Sequence, residues 1–144
     1  MNEDTTVRFM IMVRANKETE ADVMPSAKLI SEMADYHEEL AKAGALVDAS
    51  GLQPSAKGWR IRYSGGKNSV VDGPFAEAKE LIAGFTIIEA KSREEALEWT
   101  KRFPNPFPDA RECEIEVRPI KGLDELGGSE GVERFRKLEV RSQK

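Results

Sequence analysis

The sequence predicts an α+β domain laid out as strand, helix, strand, hairpin, strand, helix, strand. Three observations carry this. Several runs alternate apolar and polar residues with period two, two longer segments repeat their apolar residues every three or four positions, and Gly and Pro mark the joints between them. At 144 residues the chain is about one domain's worth, long enough to bury roughly 70% of its unfolded surface in a single core. Residues 1–120 are expected to form that domain and 121–144 a tail.

The first strand is Val7 to Arg14, where Val7, Phe9, Ile11 and Val13 alternate with Arg8, Met10, Met12 and Arg14. A polar loop over Asn16 to Asp22 follows, and Pro25 and Ser26 open a helix that runs to Ala43 and stops at Gly44. Leu29, Met33, Tyr36 and Leu40 form its buried stripe; Glu32, Asp35, Glu38 and Glu39 form a solvated acidic face. At about 100° per residue, His37 sits off the stripe, beside Ile30 and Ala41. Leu46 to Leu52 reads as the second strand. Trp59 to Tyr63 and Ser69 to Asp72 read as a hairpin around Ser64-Gly65-Gly66-Lys67-Asn68, with Trp59, Ile61 and Tyr63 on one face and Arg60 and Arg62 on the other.

Leu81 to Ala90 is apolar on both faces, which marks a central strand. Ser92 and Glu95 have the spacing of a capping box, so a second helix starts there. It buries Ala96, Trp99 and Phe103 and ends before Pro104, with Pro106 and Pro108 stiffening the loop beyond. Glu112 to Ile120 is the last strand, carrying Cys113, Ile115 and Val117 on one face and Glu114, Glu116 and Arg118 on the other. Both helices follow strands, so right-handed crossovers put them on one face of the sheet. The opposite face, with Met10 and Met12, would expose a large apolar patch unless a second sheet covered it. After Ile120 the chain turns Gly-rich and mixed in charge; Val132, Phe135 and Leu138 could form a short helix that docks on the body or on a partner subunit.

The least generic stretch is Asp72-Gly73-Pro74-Phe75-Ala76-Glu77-Ala78-Lys79-Glu80. It resembles the DGPFAETKE signature of the DGPF proteins, a branch of the YCII-related family, with Ala78 where threonine is common. Ala43-Gly44 followed by Gly51-Leu52-Gln53-Pro54-Ser55, then Leu97-Glu98-Trp99, and Ile115-Glu116-Val117-Arg118-Pro119 extend the likeness over roughly Val7 to Ile120. The resemblance implies a ferredoxin-like antiparallel sheet with two helices on one face and an inserted hairpin, paired into a dimeric α/β barrel. It implies little about chemistry. Similar domains occur fused to sigma factors, which makes a sigma factor a candidate partner. Shorter YCII-like chains have a histidine and an aspartate proposed as an acid/base pair; His37 lies nearer its helix-ending glycine than that histidine does.

Asp72 is a candidate general base or ligand anchor if its environment raises its pKa, or else its carboxylate accepts backbone N–H groups of the Gly-Pro turn. Glu77, Lys79 and Glu80 are candidates to bind a small polar substrate, or form a solvated charge run. His37 is the natural proton carrier, or a flank residue satisfied by one hydrogen bond. Arg118 could hold an anion in a fork geometry beside Glu116, or the two could be an ion pair bracing a barrel. Two functions follow: a cofactor-free enzyme of proton-transfer, lyase or isomerase type using Asp72 and His37, and a ligand-binding or regulatory module. Serine nucleophile elbows, phosphate loops and dinucleotide fingerprints are absent. One cysteine and one histidine argue against a disulfide or a Cys/His zinc site, and Cys113 reads as a small buried hydrophobe. The net charge of −4 and pI near 5.2 disfavour direct nucleic-acid binding. The leader Met1-Asn2-Glu3-Asp4 lacks the features of a signal peptide, and no segment resembles a membrane span, so the expected location is the cytoplasm.

Overall fold

The structure, a computed structural model, describes residues 5–107 and 113–142. The leader Met1 to Asp4, Pro108 and Glu112 lie outside the described residues. The elements are β1 (Val7–Arg14), α1 (Lys17–Glu20), α2 (Ala27–Lys42), β2 (Leu46–Gly51), β3 (Trp59–Ser64), β4 (Lys67–Asp72), β5 (Ile82–Ala90), α3 (Arg93–Lys101), β6 (Ile115–Pro119) and α4 (Glu130–Ser142). Strands β2, β5, β1 and β6 form a four-stranded sheet in that order, and β3 and β4 pair only with each other. All pairs are antiparallel. The order is consistent with a ferredoxin-like unit into which a hairpin has been inserted after β2.

Both helices pack on the same face, as the crossover rule requires. The core holds Phe9 and Ile11 from β1, Tyr36 and Leu40 from α2, Ile88 and Ala90 from β5, and Ala96 from α3. Trp99, Phe103, Ile115 and Val117 pack around it half-buried. Tyr36 is its polar centre: its hydroxyl donates to the Trp99 carbonyl at 2.6 Å, and its ring meets those of Phe103 and Trp99 edge-on at 5.3 and 6.3 Å. Burial pushes its phenol pKa up to about 12, because the phenolate would lose water without gaining an equal partner.

The helix caps follow the sequence with two exceptions. Ser26 accepts from the Leu29 N–H at 3.1 Å and Ser92 from the Glu95 N–H at 3.1 Å. Glu95, however, accepts from the Lys91 N–H at 3.4 Å and not from Ser92, so the expected box is only half reciprocal. The predicted loop over Asn16 to Asp22 contains α1, because Asn16 and Thr19 exchange backbone and side-chain bonds at 2.9 and 2.8 Å, a box with Thr in place of Glu. Cys113 is exposed and its thiol donates to Asn105 Oδ1 at 2.9 Å. The pairing of β6 with β1 begins only at Ile115, so Cys113 never reaches the buried face. In the tail, α4 buries Val132 and leaves Phe135 and Leu138 more than half exposed.

A clamp fixes the Asp72-to-Phe75 stretch to the body. The Glu20 carboxylate accepts from the Ser55 N–H at 2.9 Å and from the Ser55 hydroxyl. The same hydroxyl oxygen accepts from the Phe75 N–H at 3.0 Å, and the Gly73 N–H donates to the Gly58 carbonyl at 3.0 Å. The Arg60 guanidinium covers the Phe75 ring at 3.8 Å. Gly73 has no room for a side chain: a Cβ there would sit 1.9 Å from the Ser55 carbonyl oxygen, a backbone atom that cannot swing aside.

Gly73→Ala should therefore lower stability by about 2 kcal/mol or more, whereas Asp72→Asn on the exposed neighbour should change it by less than about 0.5 kcal/mol; urea melts of the two variants give the comparison. Trp99→Ala and Phe103→Ala should each cost about 3 kcal/mol, the low end for aromatic truncation because both rings are half-buried. Ser92→Ala should cost only about 1 kcal/mol. A third expectation concerns alkali. Since folding raises the Tyr36 pKa from 10.0 to about 12, its contribution is intact below pH 10 and is lost as pH rises through 12. Melting temperature should fall over that window more steeply in the wild type than in Tyr36→Phe.

Candidate functional site

Along α2 the apolar stripe divides. Tyr36 and Leu40 are buried in the core, but Met33 and Leu29, one and two turns toward the N-terminus, are only half-buried. The sheet beneath them explains the difference. Antiparallel partners share a face, and the pairs Ala49↔Thr86 and Gly51↔Gly84 of β2 and β5 present small side chains or none where large ones would have met the helix. A Cβ added to Gly51 would find open space. The result is a pocket of about 560 Å³, open on one side, within the usual range for small-molecule sites.

Its walls are Leu29, Met33 and Ala34 from α2, Val13 from β1, and Phe103 with Pro106 beyond α3. No Asp, Glu, Lys or Arg lines it. The polar side chains it offers are few: His37 and Thr86, and Thr19 from α1.

His37 is held from two sides. Nδ1 lies 2.7 Å from the Met33 carbonyl and Nε2 lies 2.8 Å from Thr86 Oγ1. A carbonyl can only accept, so Nδ1 carries the proton in the neutral ring and Nε2 is left with its lone pair toward Thr86, whose hydroxyl donates to it. Thr86 is buried on the central strand, and this bond satisfies a hydroxyl that would otherwise be costly there. The ring also meets Phe103 edge-on at 6.2 Å. The expectation of one hydrogen bond to a flank histidine is thus too small: two bonds fix both the tautomer and the plane, and they hold the basic nitrogen on Thr86, itself part of the pocket lining. Sequence periodicity alone could not find Thr86, which lies 49 residues away.

The other predicted residues fall elsewhere. Asp72 closes β4 opposite Trp59, is exposed, and is not among the residues lining the pocket. The turn N–H groups expected to bind its carboxylate donate instead to Gly58 and Ser55. Glu77, Lys79 and Glu80 are exposed around the short turn Ala78–Glu80; the Lys79 carbonyl accepts from Arg14 at 3.0 Å. Glu116 and Arg118 stand on the sheet face away from the helices. There the Glu116 carboxylate accepts from Arg14 at 2.7 Å and from Arg118 at 2.9 Å. The bond from Arg118 first, and then the Arg14 charge, hold its carboxyl below the usual range despite an opposing desolvation effect. Arg118 is well exposed and Glu116 only half-buried, so the pairs add little stability. Among the described residues no group of three or more His, Cys, Asp or Glu is placed to hold a metal, and no helix is long and apolar enough to cross a membrane.

An uncharacterised protein of Rhizobium meliloti (strain 1021) is 32% identical over 93 residues, covering 65% of this chain and 73% of that one. The YCII-related domain matches residues 7–122. That span holds the four-stranded sheet, the hairpin, both packed helices and every residue of the pocket, and it makes the chain a member of the YCII-related family.

Proposed function

We propose that this domain binds a small, neutral, largely apolar organic molecule between α2 and the sheet, and that His37 is the group that hydrogen-bonds it and can exchange a proton with it. The observation that carries the reading is the pocket's lining: seventeen residues without one Asp, Glu, Lys or Arg, and one imidazole whose Nε2 is bonded to the lining residue Thr86. An anionic ligand would leave its charge unpaired there. A ligand hydroxyl or an acidic C–H group reaching Nε2 would take the place of the Thr86 hydroxyl. Proton removal would form an imidazolium whose Nδ1–H stays on the Met33 carbonyl, and return of that proton to another ligand atom would complete an isomerisation with no cofactor. The sequence expectation of a polar substrate near Asp72 gives way in this reading to an apolar one near His37, with Asp72, Glu77, Lys79 and Glu80 outside the site.

The same reading places the chain in the DGPF branch and takes its working form to be a homodimer. Met10 and Met12 stand directly opposite Ile87 and Phe85 on the face away from the helices, and all four are half-buried; pairing two such faces would remove them from water.

Because the chain has one histidine, its imidazole Cε1 proton gives a single, assignable NMR signal. Neutral aromatic or alicyclic alcohols should shift that signal saturably, and carboxylates of the same skeleton should bind at least about tenfold more weakly. Thr86→Val should move the signal of the free protein and alter affinity for the alcohols. A His37 signal that no neutral compound moves, or one that responds better to the carboxylates, would overturn the proposal.

A further inference from the structure

Two glycines lie on the sheet face that meets α2, and packing within the protein accounts for one of them. Gly51 of β2 and Gly84 of β5 are paired across the ladder, on the same face as Thr86 and Ile88. A glycine inside a strand weakens it, and it marks a bulge or a place where another group comes close to the backbone. At Gly84 that group is protein: a Cβ there would stand 3.1 Å from the Ser50 carbonyl oxygen and 3.3 Å from Gly51 Cα. At Gly51 a Cβ would meet nothing within 4 Å. Its φ is not positive, and the register shift of β2 lies elsewhere, between Leu46 and Asp48. Nor does a turn require it, for the pairing runs on past it: the Leu52 N–H donates to the Ala83 carbonyl at 2.8 Å. Gly51 keeps open a space that no protein atom fills.

That space is part of the pocket of about 560 Å³, and it has a shape. What the two strands omit is one inward side chain each, so the void over them is a single side chain deep, yet it spans strands about 5 Å apart. Leu29 and Met33 of α2 supply the opposite wall. Met33 brings a thioether, a favourable neighbour for an aromatic ring. Thr86 is two residues along β5, roughly 7 Å from Gly84, and holds His37 Nε2 at 2.8 Å. A shallow apolar slot with a hydrogen-bonding pair one ring's length away matches a flat ring system that carries a single hydroxyl.

We infer that Gly51 is a specificity-determining residue: its bare backbone is the floor on which an aromatic ring of the ligand lies, so the site takes planar aromatic alcohols in preference to saturated alcohols of the same skeleton. The inference rests on the reading of the pocket given above and narrows its ligand class. A saturated ring is puckered and carries axial hydrogens on both faces, so it needs more depth than one missing layer of side chains leaves in a close-packed interior. A side chain placed at Gly51 would fill that layer from within the protein and shut the ring out.

The test uses β-naphthylmethanol and its decahydro counterpart, which carry the same hydroxymethyl group. The saturated alcohol has no less apolar surface, so apolar burial alone does not favour the flat one. In titrations of the full chain followed at the His37 Cε1 proton, the aromatic alcohol should bind at least about tenfold more tightly than the saturated one, and Gly51→Val should weaken its binding by at least about tenfold. Gly51→Ala, with a smaller side chain, should give a lesser loss. Neither variant should melt below the wild type, because a strand loses less freedom on folding with either side chain than with glycine. Equal or tighter binding of the saturated alcohol overturns the inference and leaves the pocket reading standing. So does an affinity for the aromatic alcohol that neither variant changes, or a melting temperature lowered in both, which would assign the glycine to the fold. A wild type whose His37 signal neither alcohol moves overturns both the inference and the pocket reading.

Discussion

The bond from the Tyr36 hydroxyl to the Trp99 carbonyl sets how α2 lies on the sheet. It ties the C-terminal half of α2 to the end of α3 across a buried aromatic group, at a point where Leu40, Ile11 and Ile88 are sealed from water. With that half fixed, a straight helix must carry its N-terminal half out over β2 and β5 at a set height. Large side chains there would have completed the core. Ala49, Gly51 and Gly84 instead leave the height unfilled, and the helix cannot sink to close the gap without pulling Tyr36 and Leu40 out of register. The pocket is a consequence of rigid packing at one end of α2 and missing side chains under the other.

Charge is sorted to match. The ion pairs Arg8–Glu89, Arg14–Glu116 and Arg118–Glu116 all belong to the sheet face opposite the helices, because in β1, β5 and β6 the alternation that sends Phe9, Ile11, Ile88 and Val117 inward sends these residues the other way. On the helix side Arg102 at the end of α3 pairs with Glu39 of α2, and the pocket under α2 is left with hydrogen-bonding groups that carry no charge in their neutral forms. His37 sits among them bonded on both nitrogens, a setting that fixes its tautomer.

Local order was legible in the sequence; what lies between distant segments was not. The period-two runs, the Ser26 and Ser92 caps and the Gly65-Gly66 turn each follow from a few adjacent residues, and all appear where the sequence predicts them. Asn16 and Thr19 carried a signal for α1 that a search for Ser/Thr with Glu passes over. Cys113 was misjudged because alternation was extended past the first residue that joins the ladder. The pocket depended on Gly51 and Gly84 being paired, and the His37 bond on Thr86 facing α2; both are facts of register between strands more than 30 residues apart in sequence. His37 itself was visible as a candidate, but its chemistry is set by Met33 and Thr86, which periodicity marks only as stripe and central strand.

The Asp-Gly-Pro-Phe stretch drew attention as a site, and its contacts describe a joint. Gly73 is bonded to Gly58 at the base of the β3–β4 hairpin and packs without a side chain against Ser55. Phe75 is bonded through Ser55 to Glu20 of α1, the residue next to Thr19 in the pocket wall, and is covered by Arg60 of the hairpin. One short stretch thus touches the hairpin, the loop after β2 and the helix beside the pocket, and each contact demands a particular residue: no Cβ at Gly73, a free N–H and a flat ring at Phe75. Asp72 is the member without such a tie, for no hydrogen bond or ion pair among the described residues uses its side chain. A signature whose glycine and phenylalanine are fixed by backbone contact and stacking is accounted for by geometry before any chemistry is assigned to it, and that turns attention from the Asp-Gly-Pro-Phe joint to the uncharged pocket lined by His37 and Thr86.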